Sequence, residues 1–513
     1  MTDPPPMATP TVVLLPVWGA GHLAPMLEAG KRLLAAGTGR ALSLTVLLMR
    51  PPAEQQAAEV DAIVRREEEE AAGAGAGAGQ GVSFVRLPAV EPPTDHTGPV
   101  EFISRVVRLH APHVRAAVAA LPSPVAALVV DLFCTDMIDV ARDLAVPAAH
   151  VYFTCNAAAL SFFLRLPELV REMDDAGAAV DIPGLPPVPA SSLPTPVMDR
   201  AAPDCAWYVH HGRRFMDADA IVVNTAAELE PAALAAVAAG LCTRGVPAPP
   251  VYAVGPVIPL PPPASPPHDC VRWLDAQPPS SVVLLCFGSG GFSTAAQARE
   301  VAAGLERSGH RFLWVLRGPP ARPGGWRPTD ADLGELLPEG FPERTRERGL
   351  VWPAPAPQKE ILAHAAVGGF VTHCGWNSVL ESLWCGVPMA PWPRYAEQHL
   401  NAFALVGGGG GGGGMGVAVA MAADRGRGDL VEAAEVERTV RELMGGGEEG
   451  RKAREKAAEM KAACRAAVER GGSSWAAMKR LRDELDRCAA AAARLRRERG
   501  EGAARSNGWA GCD

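Results

Sequence analysis

The sequence predicts an α/β protein made of two doubly wound parallel-sheet domains facing each other. Three observations carry that reading. Val- and Leu-rich runs alternate with longer Ala-rich amphipathic stretches, the pattern of buried strands and crossover helices. The chain has 513 residues, more than one core sustains, since single cores stop growing near roughly 250–300 residues. Midway, the Pro-rich "VGPVIPLPPPASPPH" (Val254 to His268) interrupts the pattern like a stiff spacer.

Taken in order, the first-half strands are "TVVLLPV" (Thr11 to Val17), "LSLTVLLM" (Leu42 to Met49), "AALVVDLF" (Ala126 to Phe133), "AHVYFT" (Ala149 to Thr154) and "DAIVVNT" (Asp219 to Thr225). After the spacer come "SVVLLCFGS" (Ser281 to Ser289), "RFLWVLR" (Arg311 to Arg317), "GLVWPA" (Gly349 to Ala354), "VGGFVTH" (Val367 to His373) and "GVPMAPWP" (Gly386 to Pro393). Helical periodicity at Val436 to Met444 and Trp475 to Cys488 is expected to close the second domain. The boundaries expected are 1–253 for the first domain, 254–280 for the linker, 281–490 for the second domain and 491–513 for a disordered polar tail. Two low-complexity segments, Glu67 to Gly81 and the eight glycines Gly407 to Gly414, are expected to be mobile loops without chemistry.

Composition narrows the function. The formal net charge of −8 supplies no positive field for a phosphate backbone, so nucleic acid is not an expected partner. The basic run Arg494 to Gly500 reads as a solvated cluster. Eleven cysteines without a C-x-x-C pair suit reduced thiols and a cytoplasmic location. The N-terminus "MTDPPPMATP" lacks the features of a secretory signal. The uncharged run Leu144 to Leu164 is broken by Pro147, His150, Thr154 and Asn156, so it reads as strand, loop and buried helix, and no membrane anchor is expected. His364, His373, Cys374 and Cys385 lack the spacing of a zinc set, and no metal is expected.

The stretch "FVTHCGWNSVLESL" (Phe370 to Leu383) runs from a strand through a turn into a helix, where unpaired amides and the helix dipole suit a phosphate. Asn377 and Ser378 look like capping residues, and Ser378 with Glu381 forms an S-x-x-E capping box. "CFGSGG" (Cys286 to Gly291) is a second such turn, offering Ser289. Two anion-suited turns in one domain favour a diphosphate ligand.

Pro355 to Gln398, 44 residues carrying "APQ", "HCGWNS", "GVP", "WP" and "YAEQ" in register, resembles the signature box of plant family-1 UDP-sugar-dependent glycosyltransferases. Segments upstream of it, among them "LPVWGAGHLAPMLEAGKRLL", "ALVVDLFCTDMIDVA" and "VVNTAAELEP", are similar to family segments in the expected order. The resemblance implies the GT-B fold, with two Rossmann-like domains and the active site between them. It implies that Ala356 binds uracil through its backbone, that Gln358 lies near the ribose, and that Glu381 accepts from the ribose hydroxyls. His373, Asn377, Ser378 and Ser289 would hold the diphosphate with the Trp376 main chain. Glu397 and Gln398 would bond the sugar hydroxyls, with Tyr395 in the same set. Glutamine at the last box position implies UDP-glucose as donor, with UDP-galactose as the alternative. The family's uracil-stacking tryptophan is replaced by Pro355, while Trp352 upstream reads as a packing residue.

The resemblance also makes His22 the general base and Asp131 its orienting carboxylate, in an inverting O-glycosyl transfer to a small phenolic acceptor such as a flavonoid. A neutral imidazole can take a hydroxyl proton near pH 7, and a carboxylate on its far nitrogen fixes the tautomer. His22 is expected in a tight turn facing the cleft; Asp136 and Asp139 are read as structural. The acceptor pocket is placed in first-half loops around Phe153, Thr154, Trp207 and the Pro-rich Asp181 to Pro196, and the protein is expected to be a monomer. Two alternatives stay open: a non-catalytic UDP-sugar binder, and an NADP-dependent oxidoreductase suggested by Gly19, Gly21 and Ala24 in a G-x-G-x-x-A pattern with Arg50 ending the second strand.

Overall fold

The computed structural model describes residues 9–507 apart from 38–40, 74–80, 173–178, 260–265, 323–326, 408–413, 424 and 428–429. Its first sheet has seven parallel strands: β1 (Thr11–Leu15), β2 (Ser43–Leu48), β3 (Val82–Arg86), β4 (Val125–Asp131), β5 (Ala149–Phe153), β6 (Ala220–Val223) and β7 (Val251–Ala253), in the order β3-β2-β1-β4-β5-β6-β7. Its second sheet is built from β8 (Val282–Cys286) and β9 (Arg311–Val315), with the small antiparallel pair β10 (Arg317–Gly318) and β11 (Thr329–Asp330) set apart, then β12 (Gly349–Trp352), β13 (Val367–Thr372) and β14 (Met389–Pro391). The five parallel strands run in the order β12-β9-β8-β13-β14.

All ten expected strands are present. β1, β5, β8 and most of β4 are buried on both faces, which is why they read as unbroken apolar runs. Strand order reverses beside β1 and β4 in the first sheet and beside β8 and β13 in the second. Ligand crevices of open α/β sheets form at the carboxyl ends of such switch points. Leu144 to Leu164 resolves into β5 and the start of the helix Ala157–Glu172, and among the described residues no helix is long and apolar enough to cross a membrane.

Several expectations are corrected. The helix Ser473–Asn507 does not close the second domain: Met478, Leu481, Leu485 and Ala489 are buried against Val12, Leu14, Val46 and Val129 under the first sheet. Arg482 seals the contact, donating to the carbonyls of Leu33 and Leu34, both at 3.2 Å, where the helix Ala20–Ala35 ends. Periodicity specifies an apolar face and not the sheet that receives it. The same helix extends past residue 491, so the disordered tail expected there is helical as far as Asn507.

Glu67 to Gly73 belongs to the helix Glu54–Gly73, where Lys31 pairs with Glu67 at 3.0 Å; residues 74–80 of that low-complexity segment lie outside the described residues, as do 408–413 of the glycine run. The stretch expected as linker contains the helix Asp269–Asp275, whose Cys270 and Leu274 are buried in the second-domain core. Leu485 is fully buried at the contact between the last helix and the first sheet. Leu485→Ala should therefore destabilise the protein by about 2–5 kcal/mol, as measured by chemical denaturation.

Candidate active site

The first half of the site stands on β1 and β4. Past β1 the chain turns at Gly19, whose φ of 112° lies in the left-handed region, and the helix Ala20–Ala35 begins at once. His22 thus sits in the first turn of a helix and not in a tight turn as expected. Its Nδ1 lies 2.8 Å from Oδ2 of Asp131, the last residue of β4. Asp131 is wholly buried, and its second oxygen accepts the Phe133 amide at 3.1 Å, so both carboxylate oxygens are engaged. His22 keeps 29% of its side chain exposed. Burial pulls the His22 pKa down, but the charge and hydrogen bond of Asp131, with the charge of Glu397, outweigh it and leave the pKa above 6.5.

The second half stands on β8 and β13. The turn after β8 passes through Gly288 at φ 71°, where a Cβ would come within 2.6 Å of the His373 ring. Ser289 follows in that turn. The turn after β13 carries His373, then Cys374 at a φ of 64°, and the helix Trp376–Cys385 starts with Gly375 as its N-cap. Asn377 and Ser378 therefore lie inside the first turn and the expected capping box is not formed. Instead Gln358 Nε2 donates to Ser378 Oγ at 2.9 Å and to Glu381 Oε2 at 2.7 Å, joining three of the expected donor-site residues in one cluster. Burial raises the Glu381 pKa against the opposing effects of Lys359 and Gln358. Burial, with the nearby Arg394 charge, holds the His373 pKa at about 4, so this ring is neutral, and its buried Nδ1 has no hydrogen-bond partner among the described atoms.

Trp352, half-buried against the second-domain core, donates through Nε1 to the Pro355 carbonyl at 3.2 Å, and its ring meets His268 edge-on at 4.8 Å. Ala356 accepts the Gln358 amide at 2.9 Å. Tyr395 is exposed, and its hydroxyl would be only 2.8 Å from a Cβ at Gly290. Gln398 Oε1 accepts the amides of Arg394 and Tyr395 at 3.0 and 3.1 Å, so its Nε2 turns away from those amides. Burial raises the Glu397 pKa, partly offset by hydrogen bonds and by the His22 charge.

The halves meet directly. Asn377 Nδ2 donates to the Gly21 carbonyl at 3.0 Å, one residue from His22, and the buried Trp376 indole donates to the Asn224 carbonyl at 2.6 Å. Of the expected acceptor residues, Phe153 is wholly buried between Phe163 and Phe215, with ring centroids 5.8 and 5.6 Å away, and leaves no surface for an acceptor; Thr154 is nearly buried beside it. The residue missed is Phe133, whose ring lies 6.1 Å from that of His22. Its only sequence signal was its place two residues beyond Asp131. Asp136 pairs with Arg108 and His210, and Asp139 with Arg214, which fits their structural reading.

A profile of the family "UDP-glucoronosyl and UDP-glucosyl transferase" matches residues 261–425. The malvidin galactosylase UGT88C3 of Oryza sativa subsp. japonica is 59% identical over 490 residues, covering 94% of this chain and 98% of that protein. The anthocyanidin 5,3-O-glucosyltransferase of a Rosa hybrid cultivar is 36% identical over 485 residues, covering 93% and 98%. Among solved structures, Phytolacca americana UGT2 complexed with UDP-2fluoro-glucose and pterostilbene superposes with a TM-score of 0.78 at 36% identity, covering 93% of this chain and 100% of that one. With that identity spread over nearly the whole of both chains, and with the two parallel-sheet domains of the GT-B fold, the protein is a UDP-glycosyltransferase of the plant family-1 group.

Proposed function

We propose that the enzyme transfers a hexose, with inversion, from a UDP-sugar to a hydroxyl of a small phenolic acceptor of the flavonoid class. The 2.8 Å bond between His22 Nδ1 and the buried Asp131 carboxylate is the observation that carries this reading. It directs the Nδ1 proton to Asp131 and leaves the Nε2 lone pair as base. As the acceptor oxygen bonds to the anomeric carbon, its proton passes to Nε2. The bond from that carbon to the UDP oxygen breaks, and UDP leaves with the electron pair. The departing charge falls between the Ser289 turn and the first turn of the helix Trp376–Cys385, where amides and the helix dipole stabilise it. That stabilisation requires no metal in the step.

The donor is read as UDP-glucose from Gln398. A second reading, UDP-galactose, is favoured by the rice relative, which is named for galactose transfer. Gln398 offers its amide as a donor to whichever sugar hydroxyl lies nearest, since its carbonyl oxygen is taken by two backbone amides. The names of the rice and rose relatives support an anthocyanidin-like acceptor. The decisive experiment supplies UDP-glucose and UDP-galactose separately with a panel of phenols that includes malvidin, and measures hexoside formation. Glycoside is expected with a higher kcat/KM for UDP-glucose. A higher value for UDP-galactose selects the second reading, and no glycoside from any phenol overturns the function and favours a non-catalytic binder.

Because the His22 pKa is raised, its neutral, basic form is lost as pH falls through a value above 6.5. kcat/KM should therefore rise with pH to a plateau, with its acid limb above pH 6.5 in the wild type. Asp131→Asn removes the charge that raises this pKa, so the limb moves to lower pH, and the loss of the correct tautomer lowers the plateau by about a thousandfold or more. At the other end of the nucleotide, Pro355→Trp should restore base stacking and lower the UDP dissociation constant by about five- to hundredfold, equivalent to about 1–3 kcal/mol, in a calorimetric titration. Unchanged affinity would place the uracil elsewhere.

A further inference from the structure

The loop that carries the proposed sugar ligand is gripped from the opposite domain. Glu397 and Gln398 open the helix Gln398–Leu405 of the second domain, yet Leu400 of that helix is buried in the first-domain core. The Thr195 amide donates to the Ala396 carbonyl at 2.9 Å, and the Cys155 thiol hydrogen-bonds the Glu397 carboxylate. Between these contacts lie two asparagines, Asn156 at 0% and Asn401 at 1% exposure. Asn156 Oδ1 accepts the Ala159 amide at 2.7 Å, and Asn156 Nδ2 donates to Asn401 Oδ1 at 2.8 Å. Asn401 Nδ2 then donates to the Cys374 carbonyl at 2.9 Å and reaches Glu397 Oε1 at 3.4 Å.

The direction of this chain is dictated at both ends. The Ala159 amide can only donate, which points the Asn156 amide nitrogen across the cleft. The Cys374 carbonyl can only accept, which points the Asn401 nitrogen at it and at Glu397. We infer that Asn156 and Asn401 are positioning residues that set the Glu397 carboxylate against the donor sugar from the acceptor domain. This rests on the reading of Glu397 as a sugar ligand. The Cys374 turn has a separate hold, since its amide donates to Thr372 Oγ1 at 3.2 Å, so loss of the asparagine pair falls on the sugar end and spares the nucleotide end.

Asn156→Asp tests this without touching the donor domain. The carboxylate still accepts the Ala159 amide, but its other oxygen faces Asn401 and draws the Asn401 nitrogen round. The Asn401 oxygen is then turned toward the Cys374 carbonyl and Glu397. KM for the UDP-sugar that the wild type uses should rise at least about tenfold. The inhibition constant of UDP, which lacks the sugar, and the acceptor KM should stay near wild type, while a carboxylate at this fully buried position lowers the melting temperature. Wild-type kinetics for the UDP-sugar in N156D overturn the inference, and so does a parallel loss of UDP binding, which would mark a structural role alone. Absence of transfer by the wild type itself would overturn the underlying reading of the site. Should N156D not fold, Asn156→Ser keeps a capping oxygen, removes the amide that reaches Asn401, and carries the same comparison.

Discussion

The 3.0 Å contact between the Gly21 carbonyl and the Asn377 side chain joins the two halves of the cleft one residue from His22. Each lies in the first turn of a helix that leaves a sheet at its switch point, so the contact brings two helix N-termini face to face. Unpaired first-turn amides and two dipole ends of the same sign make that gap unfavourable for cations and suited to an anion. On the proposed reading, the diphosphate of the UDP-sugar is the anion that this gap receives.

Two histidines in this cleft are tuned in opposite directions. His22, facing the buried Asp131 charge with Glu397 nearby, is made more basic than an ordinary imidazole. His373, buried beside the Arg394 charge, is held neutral down to about pH 4. One is suited to take a proton and the other to offer an N–H without adding charge. Environments that push like groups apart are the means by which a site assigns acid, base and binding roles. Asp131 carries this division: with no exposure, it would be a strongly unfavourable isolated charge without the imidazole and the Phe133 amide.

Much of this was readable from the residues. Buried parallel strands announce themselves as apolar runs, and the 44-residue box places His373 and Asn377 just beyond the end of β13, where the strand-to-helix turn is legible. What escaped depends on distant partners. The helix Ser473–Asn507 has an apolar stripe that suits either sheet, and only the return of the chain assigns it to the first. Ser378 and Glu381 have the spacing of a capping box, but Gln358, 20 residues upstream of Ser378, engages both. Phe153, expected at the acceptor pocket, is the last residue of β5, and Phe163 and Phe215 bury it. β3 carries exposed and half-buried positions and β7 is three residues long, so neither has the apolar run that marked the others. Asn156 and Asn401 stand 245 positions apart with no motif linking them.

In the proposed reaction one imidazole, oriented by one buried carboxylate, takes the acceptor proton while the acceptor oxygen attacks the face of the sugar opposite to UDP. The anomeric configuration of the first product formed from an α-linked UDP-sugar, read by proton NMR before any equilibration, tests this most directly. A β-glycoside is the predicted result. An α-glycoside would contradict it, because retention requires a second displacement or same-face attack for which the His22–Asp131 pair has no role.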